Sequence, residues 1–144
     1  MPQTHTRPNK VLVVDDDVRI RDLLRRYLMQ EGFEVMLAED GKALNRVLQR
    51  EAVDIIVLDL MMPQVDGFEF LDALRHHPEW RDIPVVVVTA KDLTEEDHRR
   101  LSGGVERILQ KDAPTRDEML REVSATLARC VGRNRARKAA RQRN

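Results

Sequence analysis

Hydrophobic residues fall into two alternating patterns along the chain. Three continuous apolar runs rich in β-branched residues, at 11–14, 55–58 and 85–88, are typical of strands buried on both faces of a parallel sheet. Residues 33–38 and 105–110 predict two further strands. Between the strands, apolar residues recur every three or four positions, which predicts amphipathic helices.

Each predicted strand is followed by a predicted helix. Gly32, Pro78 and Gly103 mark the ends of the first, third and fourth helices, and Thr115 with Glu118 forms a capping-box pattern at the start of the fifth. The helices cover approximately residues 18–30, 41–50, 68–77, 94–102 and 115–131. Five strand–helix units in succession predict one α/β domain with a doubly wound (βα)5 architecture, because right-handed crossovers place helices on both faces of a parallel sheet.

Polar residues stand where several of these strands end. Asp15 and Asp16 follow the first strand, Asp59 the third, Thr89 ends the fourth and Lys111 follows the fifth. In the five-stranded order 2-1-3-4-5, strands one and three are neighbours, and ligands bind where their carboxyl ends meet. We therefore expect these side chains to form one site at that edge of the sheet.

The residue types at this edge indicate phosphoryl chemistry with a divalent cation. Three clustered carboxylates repel one another unless a cation binds them, and Mg²⁺ prefers such oxygen ligands. Asp59 is then placed to attack phosphorus and form an aspartyl phosphate, while Lys111 and Thr89 can contact phosphoryl oxygens. Taken singly, Asp15, Asp16 and Asp17 could instead cap the first helix, and Asp59 could be a turn residue.

Length and composition limit the class of protein. A chain of 144 residues with 42% hydrophobic residues can build one ordinary domain. Cys130 is the only cysteine, which excludes an intramolecular disulfide, and there is no apolar stretch of membrane-spanning length. We therefore expect a cytoplasmic protein without membrane insertion.

Charge is unevenly distributed. Residues 133–144 contain six Arg or Lys and no acid, whereas the remainder has 25 − 6 = 19 basic and 25 acidic residues, a net charge of 19 − 25 = −6. We divide the chain into a flexible N-terminal segment 1–9, a folded domain 10–131 and a basic tail 132–144 that either extends the last helix or is disordered. Because no aromatic residues interleave with the basic ones, a solvated helix end is favoured over a DNA-binding function.

Several of these residues stand in motifs that resemble the receiver domain of two-component response regulators. The resemblance covers approximately Lys10 to Val131 and rests on Val13-Val14-Asp15-Asp16, Leu58-Asp59-Leu60-Met61-Met62-Pro63, Asp66-Gly67, Val88-Thr89-Ala90 and Lys111. It implies a flavodoxin-like fold in which Asp59 is the phosphoacceptor. Asp15, Asp16, Asp59 and the backbone carbonyl of Met61 would be the ligands of Mg²⁺.

The resemblance also implies a mode of action. A receiver takes its phosphoryl group from a histidine kinase or phosphotransfer protein in a Mg²⁺-dependent reaction, and it is a signalling phosphoacceptor rather than a turnover enzyme. Thr89 and Lys111 would be the switch hydroxyl and the phosphate-pairing lysine. The signal would pass to a downstream protein target, or to a homodimer formed through the fourth helix, fifth strand and fifth helix. We expect a stand-alone receiver without a DNA-binding domain.

Two other functions stay open. One is a receiver-like interaction module that is never phosphorylated, because Ile108 stands where most receivers carry an aromatic residue and the loop after Lys111 departs from the family pattern. The complete set of acidic residues argues against this alternative. The other alternative is an aspartyl-nucleophile phosphohydrolase, but such enzymes carry a second acid two residues after the nucleophile, where this chain has Met61. Because Met61 cannot hydrogen-bond a hydrolytic water, we expect a slowly hydrolysed phosphoryl group.

Overall fold

The computed structural model describes residues 9–62, 65–90, 92–111 and 115–143, without the side chains of residues 65–66 and 134–143. Its strands are β1 (Lys10–Val14), β2 (Glu34–Ala38), β3 (Ile55–Leu58), β4 (Met61–Met62), β5 (Val65–Asp66), β6 (Val85–Thr89) and β7 (Arg107–Gln110). Its helices are α1 (Val18–Gln30), α2 (Gly41–Arg50), α3 (Gly67–His76), α4 (Glu95–Leu101) and α5 (Arg116–Arg143). Of the N-terminal segment predicted to be flexible, only Asn9 lies within the described residues.

Five of the strands form one parallel sheet in the order β2-β1-β3-β6-β7. When only these five strands are counted, this is the predicted order 2-1-3-4-5. The numbering differs because the chain inserts β4 and β5, a short antiparallel hairpin that pairs Met61 with Asp66 and Met62 with Val65. The sequence predicted a loop over residues 63–67, because two-residue strands are too short to show a hydrophobic period.

Two strands begin later than predicted. β2 begins at Glu34, because the amide of Phe33 still donates to the carbonyl of Leu28 (3.0 Å) at the end of α1. β7 begins at Arg107 rather than Val105, because its ladder with β6 starts at that residue. Both differences lie at the amino ends of strands, away from the edge where the predicted site lies.

Polar side chains fix several helix starts. The side chain of Asp17 accepts a hydrogen bond from the first turn of α1, which leaves the two preceding aspartates free of this capping role. Thr94 and Asp97 form a capping box at α4. At the start of α5, the hydroxyl of Thr115 accepts from the amide of Glu118 (3.1 Å), as its spacing predicted.

A separate hydrophobic core lies on each side of the sheet, because successive strand residues point to opposite faces. On β1, Val11 and Val13 pack with residues of α1 and α5, whereas Leu12 and Val14 pack with residues of α2, α3 and α4. Leu127 of α5 is fully buried, so truncation to alanine would cost about 2–5 kcal/mol. The two cores hold the strand ends in a fixed register.

Helix α5 is much longer than the strands of the sheet. Its 28 residues span about 42 Å, whereas a five-residue strand spans about 17 Å. The sequence predicted the amphipathic part of this helix to end near Val131, which is the last buried residue described, and left residues 132–144 open as a helix extension or disorder. The helix continues to Arg143, which is the first of these alternatives. Alanine, arginine and lysine sustain a helix well even without packing, which explains the extension.

Within the part of the chain that the structure describes, no helix combines the length and the apolar composition needed to cross a bilayer.

Candidate functional site

Asp59 lies directly after β3 and is held on three sides. Its backbone amide donates to the carbonyl of Val14 (3.0 Å), which continues the pairing of β3 with β1. Its carboxylate Oδ1 accepts from the amide of Met61 (3.0 Å), and its Oδ2 accepts from Lys111 Nζ (3.0 Å). Because Asp59 is also buried, these bonds hold the carboxylate in one orientation at the edge of the sheet.

Asp15 lies beside Asp59, directly after β1. Its amide donates to the carbonyl of Ala38 (3.1 Å), and its Oδ1 accepts from the amide of Asp17 (2.9 Å). Its Oδ2 lies 2.8 Å from Lys111 Nζ. Arg21 donates to the backbone carbonyl of Asp15 (3.0 Å). The sequence pattern did not indicate this support, because a single arginine on a helix forms no motif.

The ammonium group of Lys111 bridges the two buried carboxylates of Asp15 and Asp59. It comes from the end of β7, where its backbone amide donates to the carbonyl of Thr89 (3.1 Å). Moving such charges out of water costs several kcal/mol per ion, which attraction offsets only while every group keeps its partners. The charge balance of the site therefore depends on a cation between the carboxylates.

Burial and ion pairing shift the pKa values of Asp15 and Lys111. Burial raises the pKa of the Asp15 carboxyl above its ordinary 3.8, against the opposing hydrogen bond from Lys111. Burial also disfavours the charged form of Lys111, but its hydrogen bonds to Asp15 and Asp59 outweigh this and raise its pKa above 10.5. Lys111 therefore stays a cation at neutral pH.

Asp16 completes an acidic cluster at the mouth of the site. One carboxylate oxygen from each of Asp15, Asp16 and Asp59 lies within 4.8 Å of the others, and only Asp16 is exposed. Three carboxylate oxygens on neighbouring strand ends are the donor set that Mg²⁺ prefers, and an exposed member offers a path from solvent. The residues present therefore fit a hard divalent cation.

Thr89 lies at the same edge, fully buried at the end of β6. The register of β3 and β6 pairs Leu58 with Val87, so Asp59 and Thr89 both lie just beyond this pair. On the next strand, Ile108 is partly buried and packs against the core that contains Leu101 of α4. The loop after Lys111, residues 112–114, lies outside the described residues.

Gly67 lies against the segment that follows Asp59. A Cβ added to Gly67, the first residue of α3, would lie 2.8 Å from the Cα of Leu60, closer than real side chains allow. Met61 follows with 55% of its surface exposed at the border of the site. The Asp66-Gly67 pair predicted a turn, but its contact with Leu60 depends on how the hairpin folds back.

The chain matches the family model described as the response regulator receiver domain, over residues 11–124. Among curated proteins it is similar to response regulator MprA of Mycolicibacterium vanbaalenii, with 38% identity over 122 residues, 85% of this chain and 52% of MprA. MprA of Mycobacterium leprae is 38% identical over 120 residues, 83% of this chain and 51% of that protein. The chain thus spans about half the length of these relatives.

Solved structures of similar sequence share the fold. The chemotaxis response regulator CheY4 of Vibrio cholerae aligns with a TM-score of 0.73 and 31% identity, over 86% of this chain and 99% of CheY4. The response regulator TrrA of Thermotoga maritima, in complex with Mg²⁺ and BeF, aligns with a TM-score of 0.67 and 28% identity, over 82% and 98%.

Proposed function

Because the chain belongs to the response regulator receiver family, we propose that it accepts a phosphoryl group on Asp59 from a histidine kinase or a phosphotransfer protein. One observation supports this above the others. The Asp59 carboxylate lies at a strand end, 3.0 Å from Lys111 Nζ, in a cluster with the carboxylates of Asp15 and Asp16. A nucleophile, a cation for the phosphoryl group and ligands for a metal ion are thus within reach of one another.

In the proposed transfer, a carboxylate oxygen of Asp59 bonds to phosphorus while the bond from phosphorus to the donor nitrogen breaks, and that nitrogen takes up a proton. The ammonium of Lys111 has three N–H donors, so it can contact a phosphoryl oxygen and keep its bond to Asp59. The hydroxyl of Thr89 would bind a second phosphoryl oxygen. The amide of Met61 would keep the Asp59 carboxylate oriented for attack.

Asp15, Asp16 and Asp59, with the backbone carbonyl of Met61, would hold Mg²⁺. When bound, the ion would neutralise the negative charge that a phosphoryl group brings to two buried carboxylates. Binding of Mg²⁺ is compatible with the position of Lys111. The ammonium group can move from Asp15 to the phosphoryl group while the backbone of Lys111 stays fixed beside β6.

The signal would leave through a surface connected to these residues. Phosphorylation adds about −2 charge beside Lys111, which directly follows β7, and Thr89, which ends β6. Movement of these strand ends would change the face formed by α4, β7 and α5, where a downstream protein or a second copy would bind. We assign residues 10–131 to this receiver unit and 132–144 to a basic tail, and place the protein in the cytoplasm.

Phosphorylation can be tested by mass spectrometry of the intact protein after incubation with acetyl phosphate and Mg²⁺. We expect a phosphoryl adduct on the unmodified sequence and none on Asp59→Asn or in the presence of EDTA. Asp54→Asn is the matched control, because Asp54 lies at the other end of β3, where it accepts from the amide of Lys10 (2.8 Å). An unmodified mass for the unmutated chain would instead support an interaction module.

The lifetime of the adduct can be tested at Met61. Its exposed thioether borders Asp59 and cannot orient a water molecule for attack on phosphorus. We expect Met61→Asn to shorten the half-life of the adduct several-fold, measured as loss of phosphoryl mass with time. An unchanged half-life would contradict this role of Met61.

A further inference from the structure

A second concave site lies at the opposite edge of the sheet from Asp59. It is a cleft of about 540 Å³ between the start of β7 and the last packed turns of α5, within the range of small-molecule sites. It is lined by Glu106, Arg107, Thr126, Arg129, Gly132 and Arg133. The proposed phosphoacceptor chemistry uses none of these residues.

Three arginines and one glutamate line this cleft, so its lining residues carry a net charge of 3 − 1 = +2. Arg107 Nη1 lies 2.6 Å from Glu122 Oε2, and Arg133 Nη2 lies 2.5 Å from Glu106 Oε2. Both pairs are partly exposed, so solvent weakens them and a more highly charged anion can replace the carboxylates. The guanidinium groups also keep further N–H donors for such an anion.

Arg129 differs from its two neighbours. Within the described part of the chain it has no acidic partner, and its Nη2 donates to the hydroxyl of Thr126 (3.3 Å). Gly132, between Arg129 and Arg133 on the helix, is exposed, and a Cβ added there would meet nothing within 4 Å. The cleft is therefore open between these two arginines.

The sequence of α5 beyond the cleft is also basic. Arg137 and Arg141 extend the four-residue spacing of Arg129 and Arg133, which places the four positions on neighbouring parts of one helix face, about 6 Å apart along the axis. No acidic residue follows Glu122 in the sequence. A helix of one sign of charge beside a cleft raises the local concentration of anions.

We propose that this cleft binds a small anion that carries two or more phosphoryl groups. Guanidinium groups bind phosphate oxygens through paired N–H donors. The described residues that line the cleft include no aromatic side chain on which a base could stack, so recognition is directed at the phosphates. Outside residues 133–144 the chain has a net charge of −6, which opposes a long nucleic acid along its body.

The proposal can be tested by calorimetric titration of the full chain with inorganic tripolyphosphate, without Mg²⁺. We expect binding to weaken about ten-fold or more in Arg129→Gln and in Arg107→Gln, because each removes charged hydrogen bonds to the anion. Arg121→Gln is the matched control, since it removes the same charge from an exposed position of α5 outside the cleft. Asp59→Asn should bind like the unmutated chain, which separates this site from the proposed phosphoacceptor.

A further variant keeps every arginine. Gly132→Glu places a carboxylate in the open space of the cleft and favours the helix, so we expect about ten-fold weaker binding without a lower melting temperature. Equal affinity in all variants, or an equal loss in Arg121→Gln, would overturn the proposal by showing diffuse attraction. Binding of duplex DNA that is lost on removal of residues 134–144 but kept in Arg107→Gln would overturn it in favour of nucleic acid.

Discussion

The two edges of the sheet hold ion pairs of similar length in very different surroundings. At the carboxyl edge, Lys111 Nζ lies 2.8 Å from Asp15 and 3.0 Å from Asp59. The side chain of Lys111 is 11% exposed, and each of the two carboxylate side chains is 3% exposed. At the amino edge, the pair of Arg107 and Glu122 is 2.6 Å long, and its side chains are 42% and 48% exposed. The shorter contact belongs to the weaker interaction, because burial rather than distance sets the cost of losing a partner.

This difference suits each edge to a different task. The buried carboxylates around Asp59 require a neighbouring cation. A phosphoryl group or a metal ion that binds there therefore changes the positions of the charged groups already present. Exposed pairs around the cleft exchange partners at little cost, which suits reversible binding of an anion. The comparison can be tested by matched substitutions at the two edges.

The largest effect is expected for Lys111→Met, which leaves two buried carboxylates without their cation. We expect the free energy of unfolding at neutral pH to fall by about 2–4 kcal/mol, measured by urea denaturation. Millimolar Mg²⁺ should restore part of the loss, because binding to the folded state alone stabilises it. Arg107→Met at the exposed edge is the control and should lose much less.

The deficit of Lys111→Met should also depend on pH. The pKa of Asp15 is already raised with Lys111 present, and loss of the ammonium would raise it further. A carboxyl whose folded pKa exceeds its unfolded value of 3.8 destabilises the fold as pH rises through that window. We therefore expect a larger deficit at about pH 8 than at about pH 5, and the opposite trend would contradict this account.

Next in size is Gly67→Ala at the carboxyl edge. The new Cβ would lie 2.8 Å from the Cα of Leu60, so the backbone between Asp59 and Met61 must shift. We expect a loss of about 1–3 kcal/mol in unfolding free energy and slower phosphorylation by acetyl phosphate. Normal stability and a normal phosphorylation rate would show that this segment tolerates displacement.

The same substitution at the amino edge should have the opposite sign. Gly132 lies inside α5, and a Cβ there meets no atom within 4 Å. Gly132→Ala should therefore raise the unfolding free energy by about 0.5–1 kcal/mol through helix propensity, measured by thermal or urea denaturation. A loss of stability would mean that the end of α5 is packed more tightly than its exposure indicates.

The smallest effect is expected for Glu122→Gln, which removes the exposed partner of Arg107. We expect the unfolding free energy to fall by ~0.5 kcal/mol or less, and the difference to shrink further in 1 M salt. A loss as large as that of Lys111→Met would contradict the contrast between the two edges.

Much of the fold followed from local pattern. The β-branched runs predicted the central strands, and the hydroxyl before α5 predicted its cap, because these depend on residues close together in sequence. The two-residue hairpin after β3 was missed, since it has no period of its own. The extent of α5 beyond Val131 was left open, because amphipathicity fades there, whereas the helix continues to Arg143.

For the site, the alternation of strands and helices was enough to predict that Asp15, Asp59 and Lys111 lie at one edge of the sheet, because the carboxyl ends of parallel strands meet at that edge. Two contacts of the site were not indicated by the sequence pattern: the hydrogen bond from Arg21 on α1 to the Asp15 carbonyl, and the approach of Gly67 to Leu60. Hydrophobic period is a property of neighbouring residues, so it could predict the elements and their order. Specific hydrogen bonds and close contacts, such as those of Arg21 and Gly67, leave no periodic pattern in the sequence. They form only when the packed helices and strands bring the two groups together in three dimensions.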